Sequence, residues 1–191
     1  MPSWQEIFAS TYGAYRLARL DAGGMHWFNH SIAGFWRSFG VALLVLPPYL
    51  LILALRLDDK VESGSWYFFI EMLGYALGWG AFPLIMLGIS VIFSFQRNYI
   101  SYIIAYNWTA MIQVAVVLPI VVLNSGGVVG QELGLFLGVA ITLALLFYQW
   151  FVALTALQTS GLTAAALVAL DFVLGRLIST GADRLIFTAQ G

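Results

Sequence analysis

Cysteine is absent from this chain, which removes disulfides, thiolate catalysis, cysteine-ligated zinc and S-acylation together. Charge is scarce as well. Only 9% of the 191 residues are Asp, Glu, Lys or Arg, against about 25% in an ordinary soluble domain, while 61% are hydrophobic and mean hydropathy is +0.90. Too few polar residues remain to cover a water-facing surface, so hydrocarbon is the expected solvent for most of the chain. The formal net charge of −1 comes with no basic or acidic block, which leaves no footprint for nucleic acid. Catalytic patterns are missing too: there is no HExxH, GxSxG, P-loop or strand-borne GxGxxG. Neither an enzyme nor a cofactor is expected.

What is present is a set of five apolar stretches, at about 38–56, 66–95, 99–123, 133–157 and 161–181. Each is close to the roughly 20 residues that a helix needs to cross hydrocarbon. The breaks between them are LDDKVESGS, the short turn QRN, NSGGVVGQE and QTSGLT, with the polar, Gly- and Ser-rich composition of loops. These predict an all-α, polytopic integral membrane bundle. The last stretch either crosses or lies partly at the surface, because Asp171, Arg176, Asp183 and Arg184 spread polarity over its second half. Gly74, Gly78, Gly80 and Pro83 in the second, long stretch predict a tilt or a kink.

Residues 1–37 stand apart from the transmembrane domain expected over 38–191. In them Trp4, Ile7, Phe8, Tyr12 and Tyr15 fall at helical spacing, which makes an aromatic stripe suited to the headgroup boundary. The same periodicity fits a helix packed on a soluble partner or on the protein's own spans. The opening MPSWQEIFASTYGAYRLARLDAGG has no apolar core of a signal peptide, so internal spans are expected to direct insertion. Arg16, Arg19, Arg37 and Arg97 fall on one side of the bilayer in this topology, which favours a cytoplasmic N-terminus.

Ionisable groups at membrane depth are expensive and point to function unless they snorkel or pair. Asp171 follows ten residues without a charge and has no nearby terminus to escape to. Glu71 lies a few residues past Trp66, so snorkelling is its simplest explanation. Arg176 is five residues beyond Asp171 and roughly 140° around a helix, poorly placed to pair with it. Asn107 and Gln113, with Gln149 and Thr155, add polar groups inside the apolar layer, where such side chains usually join helices. Gly74-xxx-Gly78 and Gly134-xxx-Gly138 are small-residue notches for helix packing, within the chain or with a neighbour. His26 and His30 have the spacing of two metal ligands on one helix face, but no third ligand is near and no metal site is expected. The sequon Asn107-Trp108-Thr109 sits in an apolar span and fails the surface requirement for glycosylation.

The layout resembles the Yip1-domain family of five-span membrane proteins. The likeness rests on WFVALTALQTSGLTAAALVALDFVLGRLI, with its brief turn ending in Gly-Leu-Thr before an alanine-rich last span, and on the entry FWRSFGVALLVLP. The Asp-Leu-Tyr-Gly-Pro motif of eukaryotic members is absent, so binding of lipidated Rab GTPases does not carry over. The resemblance implies a multispan protein of the bacterial inner membrane acting as a scaffold, adaptor or accessory subunit. Its partners would be the bilayer and other membrane proteins or further copies of itself. The alternative is a small oligomeric transporter or channel in which Asp171, Glu71 and Gln113 line a polar path.

Overall fold

The computed structural model describes residues 1–56 and 64–188, and these form helices joined by short turns. The chain opens with α1 (Trp4–Ala18), a 3-10 turn (Ala22–Trp27) and α2 (Ile32–Ser38). Then come α3 (Val41–Arg56), α4 (Gly64–Ile92), α5 (Gln96–Ser125), α6 (Gln131–Leu157) and α7 (Gly161–Thr188). Five segments are long and apolar enough to cross a membrane: Ile32–Leu55, Ser65–Ile92, Gln96–Ser125, Gln131–Leu157 and Gly161–Ile186. The expected all-α polytopic bundle is therefore present. At about 1.5 Å per residue, α4 to α7, of 27 to 30 residues each, are longer than the roughly 30 Å hydrocarbon layer. Pro47, Pro48, Pro83 and Pro119 all sit inside helices that continue past them, which neighbouring helices permit in a membrane.

Side-chain contacts fix the register. α5 and α6 run antiparallel, with Asn98 donating to the Leu157 carbonyl near one end and Asn124 against Gly134 near the other. α4 and α7 are antiparallel through Gly74 against Ile178 and Trp66 against Leu185. α3 runs parallel to α5, since Ser38 meets Asn107 and Leu55 meets Ser125. The α4–α5 and α6–α7 turns lie together with the N-terminal segment at what we term the near end. The far end is where α3 stops, α4 starts and α7 finishes.

Two boundaries differ from the sequence reading. The turn after α4 is Phe93-Ser94-Phe95, with Ser94 in the left-handed region, and Gln96-Arg97-Asn98 is the first turn of α5. Polarity there marks a helix start, because Asn98 donates to the last turn of α6. α7 is one continuous helix through Asp171, Arg176 and Asp183, long enough to cross and packed on α4 and α6.

α1 packs on the protein's own spans with one face and leaves its aromatic stripe exposed on the other. Ser3 caps the helix by accepting from the Glu6 N–H at 3.2 Å, and Glu6 forms an ion pair with Arg37 of α2 at 2.8 Å. Ser10, Gly13, Ala14 and Leu17 are buried at one-turn spacing, and Tyr148 of α6 donates to the Ala14 carbonyl at 2.9 Å. Trp4 and Phe8 are more than 70% exposed on the other side, beside the half-exposed Tyr12 and Tyr15. Ile7 leaves that stripe and packs on the core. Ala14, Leu17 and Phe28 belong to the same core as Val41, Met86, Trp108 and Val152, so the division at 37/38 separates no independent unit.

The 3-10 turn lies directly on α1. A Cβ at Gly13 would stand 2.8 Å from the Gly24 carbonyl oxygen, and one at Gly24 would stand 2.5 Å from that of Gly13. Asp21 holds the start of this turn by accepting from Arg16 and from the Gly23 N–H, two hydrogen bonds that keep its carboxyl below the usual carboxylate range. The substitution Gly13→Val should push the turn off α1 and lower stability by about 1–3 kcal/mol. Gly138→Ala, which adds its methyl in open space, should be neutral or stabilising by up to about 1 kcal/mol. Unfolding of the purified chain in mixed detergent micelles, followed by circular dichroism, measures both.

Candidate functional site

Fully buried side chains crowd the near half of the bundle. On α5 they are confined to residues 102–109, and Phe82, Met86, Val152, Ala156 and Leu167 surround them. Among the described residues the far half holds a small cluster of Ile70, Ala182 and Ile186, with Leu53 also buried. Between α3, α4, α5, α6 and α7 in that half lies a half-open cavity of about 720 Å3. It extends from Asp171, Tyr106 and Asn107 at mid-bundle to Tyr67, Asp183 and Ile186 at the far end.

Each helix contributes through its local pattern. On α7, Asp171, Gly175, Ser179 and Asp183 repeat every four residues and line the cavity as one polar stripe. Those two aspartates are separated by about 18 Å of helix rise. α4 supplies Glu71, Gly74, Tyr75 and Gly78, one turn apart or adjacent. α5 brings Tyr106, Asn107, Ala110 and Gln113, and α6 brings Gln149. The polar residues expected to join helices thus converge on a common space.

Hydrogen bonds set what this space offers. Tyr106 donates to Asp171 Oδ1 at 2.9 Å, and Tyr49 donates to Glu71 Oε2 at 3.1 Å. Glu71 therefore turns inward and does not snorkel. Ser38 spends its one hydroxyl hydrogen on the Phe35 carbonyl at 2.7 Å, so it must accept from Asn107 Nδ2 at 2.9 Å. Thr109 likewise donates to the Tyr106 carbonyl at 2.6 Å and accepts from Gln113 Nε2 at 3.1 Å and Gln149 Nε2 at 3.4 Å. This proton bookkeeping orients the carboxamides. Asn107 Oδ1 and Gln149 Oε1 are left buried with no partner among the described residues. In a low-dielectric interior an acceptor left this way costs about 1–3 kcal/mol.

Asp171, Glu71, Gln113, Asn107, Gly74 and Gly78 all line the cavity. Arg176 does not: it is exposed on the outer side of α7, where its angular offset from Asp171 carries it. The notches are divided. Gly74 packs internally against Ile178 and Ala182, with contacts of 3.7 and 3.9 Å, whereas a Cβ at Gly78 would enter open space. Gly134 is covered by the Asn124 side chain, whereas Gly138 is open. His26 lies in the 3-10 turn and His30 beyond it, with Nε2 2.8 Å from the Met25 carbonyl, so the helix their spacing suggested does not form. Asn107, Trp108 and Thr109 are all at most 1% exposed, which closes the sequon to modification.

Tyr49, Tyr75 and Tyr106 escaped sequence reasoning, because tyrosine in an apolar run passes for an interfacial residue. The four-residue stripe of α7 was the available signal for Ser179 and Asp183. No protein-family model, no curated protein and no solved structure matches the chain.

The absence of cysteine makes access to the cavity directly measurable. Single cysteines replacing Gly175 and Ser179, which line the cavity, should react with a membrane-impermeant cationic methanethiosulfonate, since thiols react as thiolates and thiolates need water. Leu177→Cys, on the lipid-facing side where Leu177 is 65% exposed, should react at least tenfold more slowly. Mass spectrometry of the labelled chain in liposomes reads all three rates, and equal rates would mean that the cavity is dry.

Proposed function

We propose that this chain is a small non-enzymatic membrane carrier or channel whose substrate occupies the cavity between α3 and α7. The observation that carries the reading is the convergence of Asp171, Glu71, Asn107 and Gln149 on one space of about 720 Å3 inside the apolar layer. A packing role for these residues would consume their hydrogen-bonding capacity between helices. Two carboxamide oxygens are instead left without a donor among the described residues, and burying such groups is justified at a site where something polar visits.

The scaffold reading has less to rest on, since three of its four notch glycines face Asn124, α7 or the cavity. Few spans in one chain still favour an oligomeric carrier over a monomeric one built from repeats. A bacterial inner-membrane location with the N-terminus in the cytoplasm remains our proposal, and the Yip1-like layout and the arginines Arg16, Arg19, Arg37 and Arg97 at the near end support it. The cavity would then open away from the cytoplasm.

Solid-supported membrane electrophysiology on proteoliposomes tests the reading with concentration jumps of a solute panel comprising protons, potassium, amino acids, amines and organic acids. At least one solute should give a current. Asp171→Asn should reduce it at least tenfold with an unchanged gel-filtration profile, as should Gly78→Phe, whose ring would fill the open space beside Gly78. Silence of the parent chain across the panel, or parental currents in both variants, would sink the proposal.

A further inference from the structure

We infer that the ligand of this cavity is an amphiphilic organic cation with N–H donors, a protonated primary or secondary amine carrying an apolar body. The inference rests on the proposed function and adds the substrate class. Its basis is the donor and acceptor inventory of the walls. The hydroxyl hydrogens of Tyr49 and Tyr106 are spent on Glu71 and Asp171, and that of Tyr75 goes to the Ala42 carbonyl at 2.6 Å. Among the groups lining the cavity, the carboxylates of Glu71 and Asp171 keep acceptor capacity beyond the bonds they accept from Tyr49 and Tyr106, while Ser179 adds a hydroxyl and the carboxamide oxygens of Asn107 and Gln149 are themselves buried. No lysine, arginine or histidine lines the cavity among the described residues. An anion would meet two carboxylates and no cationic side chain; an ammonium meets carboxylates that accept from it.

The wall suits an organic molecule better than a bare metal ion. No group of three His, Asp or Glu among the described residues is placed to hold one, and about 720 Å3 is the volume of a site for an organic molecule. Trp79, with Tyr49, Tyr75 and Tyr106, gives the cavity aromatic faces on which a cation is favoured. Ile52, Leu53, Ala110 and Ile178 offer an apolar surface for the body of the molecule. Because the carboxylates of Glu71 and Asp171 accept hydrogen bonds as well as supplying negative potential, an amine with N–H groups should bind better than its quaternary analogue of the same shape.

Scintillation-proximity binding of radiolabelled phenylethylamine to the full chain in detergent, against empty micelles, decides the matter. Saturable binding is expected, competed by unlabelled amine, at least tenfold more weakly by phenylethyltrimethylammonium, and not by phenylpropanoate. Asp171→Asn and Glu71→Gln, tested separately, should each weaken it at least tenfold, while Arg176→Gln on the outer face should leave it unchanged. Binding no greater than that of empty micelles, or equal competition by phenylpropanoate, would overturn the inference. If an anionic solute gives the current in electrophysiology while phenylethylamine does not bind, the carrier reading survives and this inference falls. Amine binding without current from any solute leaves the ligand class standing and removes transport.

Discussion

Inside hydrocarbon no water is available to satisfy a polar side chain, so each such group must find its partner within the protein or line a space that water and solutes reach. That constraint organises the bundle. Thr109 shows how it works, since one hydroxyl, its hydrogen already committed to the Tyr106 carbonyl, collects the amide groups of both Gln113 and Gln149. This ties α5 to α6 at mid-depth and turns the carboxamide of Gln149 so that its oxygen has no donor among the described residues. Asn107 is arranged in the same way by Ser38, which ties α5 to the end of α2. Cohesion and an unsatisfied acceptor sit at opposite ends of the same carboxamide.

The two halves of the bundle use their apolar residues differently. In the near half, α1 and the 3-10 turn cover α5 and α6, and side chains from Leu17 to Trp108 are fully buried. In the far half the helices keep their apolar residues for lipid, as the exposure of Leu73, Leu77, Leu143 and Leu177 indicates, and meet across a cavity. A gap of this size would be severely destabilising if its walls were apolar and dry. Walls carrying Asp171, Glu71 and Asp183 make hydration of that space favourable, so the polar stripe of α7 and the cavity stabilise each other.

Much of this was legible in the sequence, for a physical reason. A carboxylate or carboxamide in an apolar run is conspicuous because its insertion is costly, and Asp171, Glu71, Asn107 and Gln113 stood out on that ground. Their partners did not. Tyr106 is 65 residues from Asp171 and Tyr49 is 22 from Glu71, so only helix register brings them together, and register in turn follows from packing. QRN was read as a turn because polarity between apolar runs usually marks one; Ser94, with its left-handed backbone, does that work three residues earlier. Glycine spacing showed where helices come close, yet not whether the neighbour is a helix, as at Gly74, a side chain, as at Gly134, or empty space, as at Gly78.

The asymmetry of the bundle also limits how a carrier of this design would work. A solute entering from the far end reaches Asp171 and then meets the packed core of Tyr102, Phe82 and Trp108. Passage to the other side would require the near half to loosen, and the elements that hold it closed include α1 and the 3-10 turn. These are joined to the spans by Tyr148 to the Ala14 carbonyl and by Glu6 to Arg37, and also by the fully buried Ala14 and Leu17, which share one core with Trp108 and Val152. Loosening them would expose that apolar core as well as break the polar contacts. The aromatic face of α1, exposed at Trp4 and Phe8, has the composition of a headgroup-layer surface. A carrier of this design would move α1 as part of the packed core rather than as a separate latch.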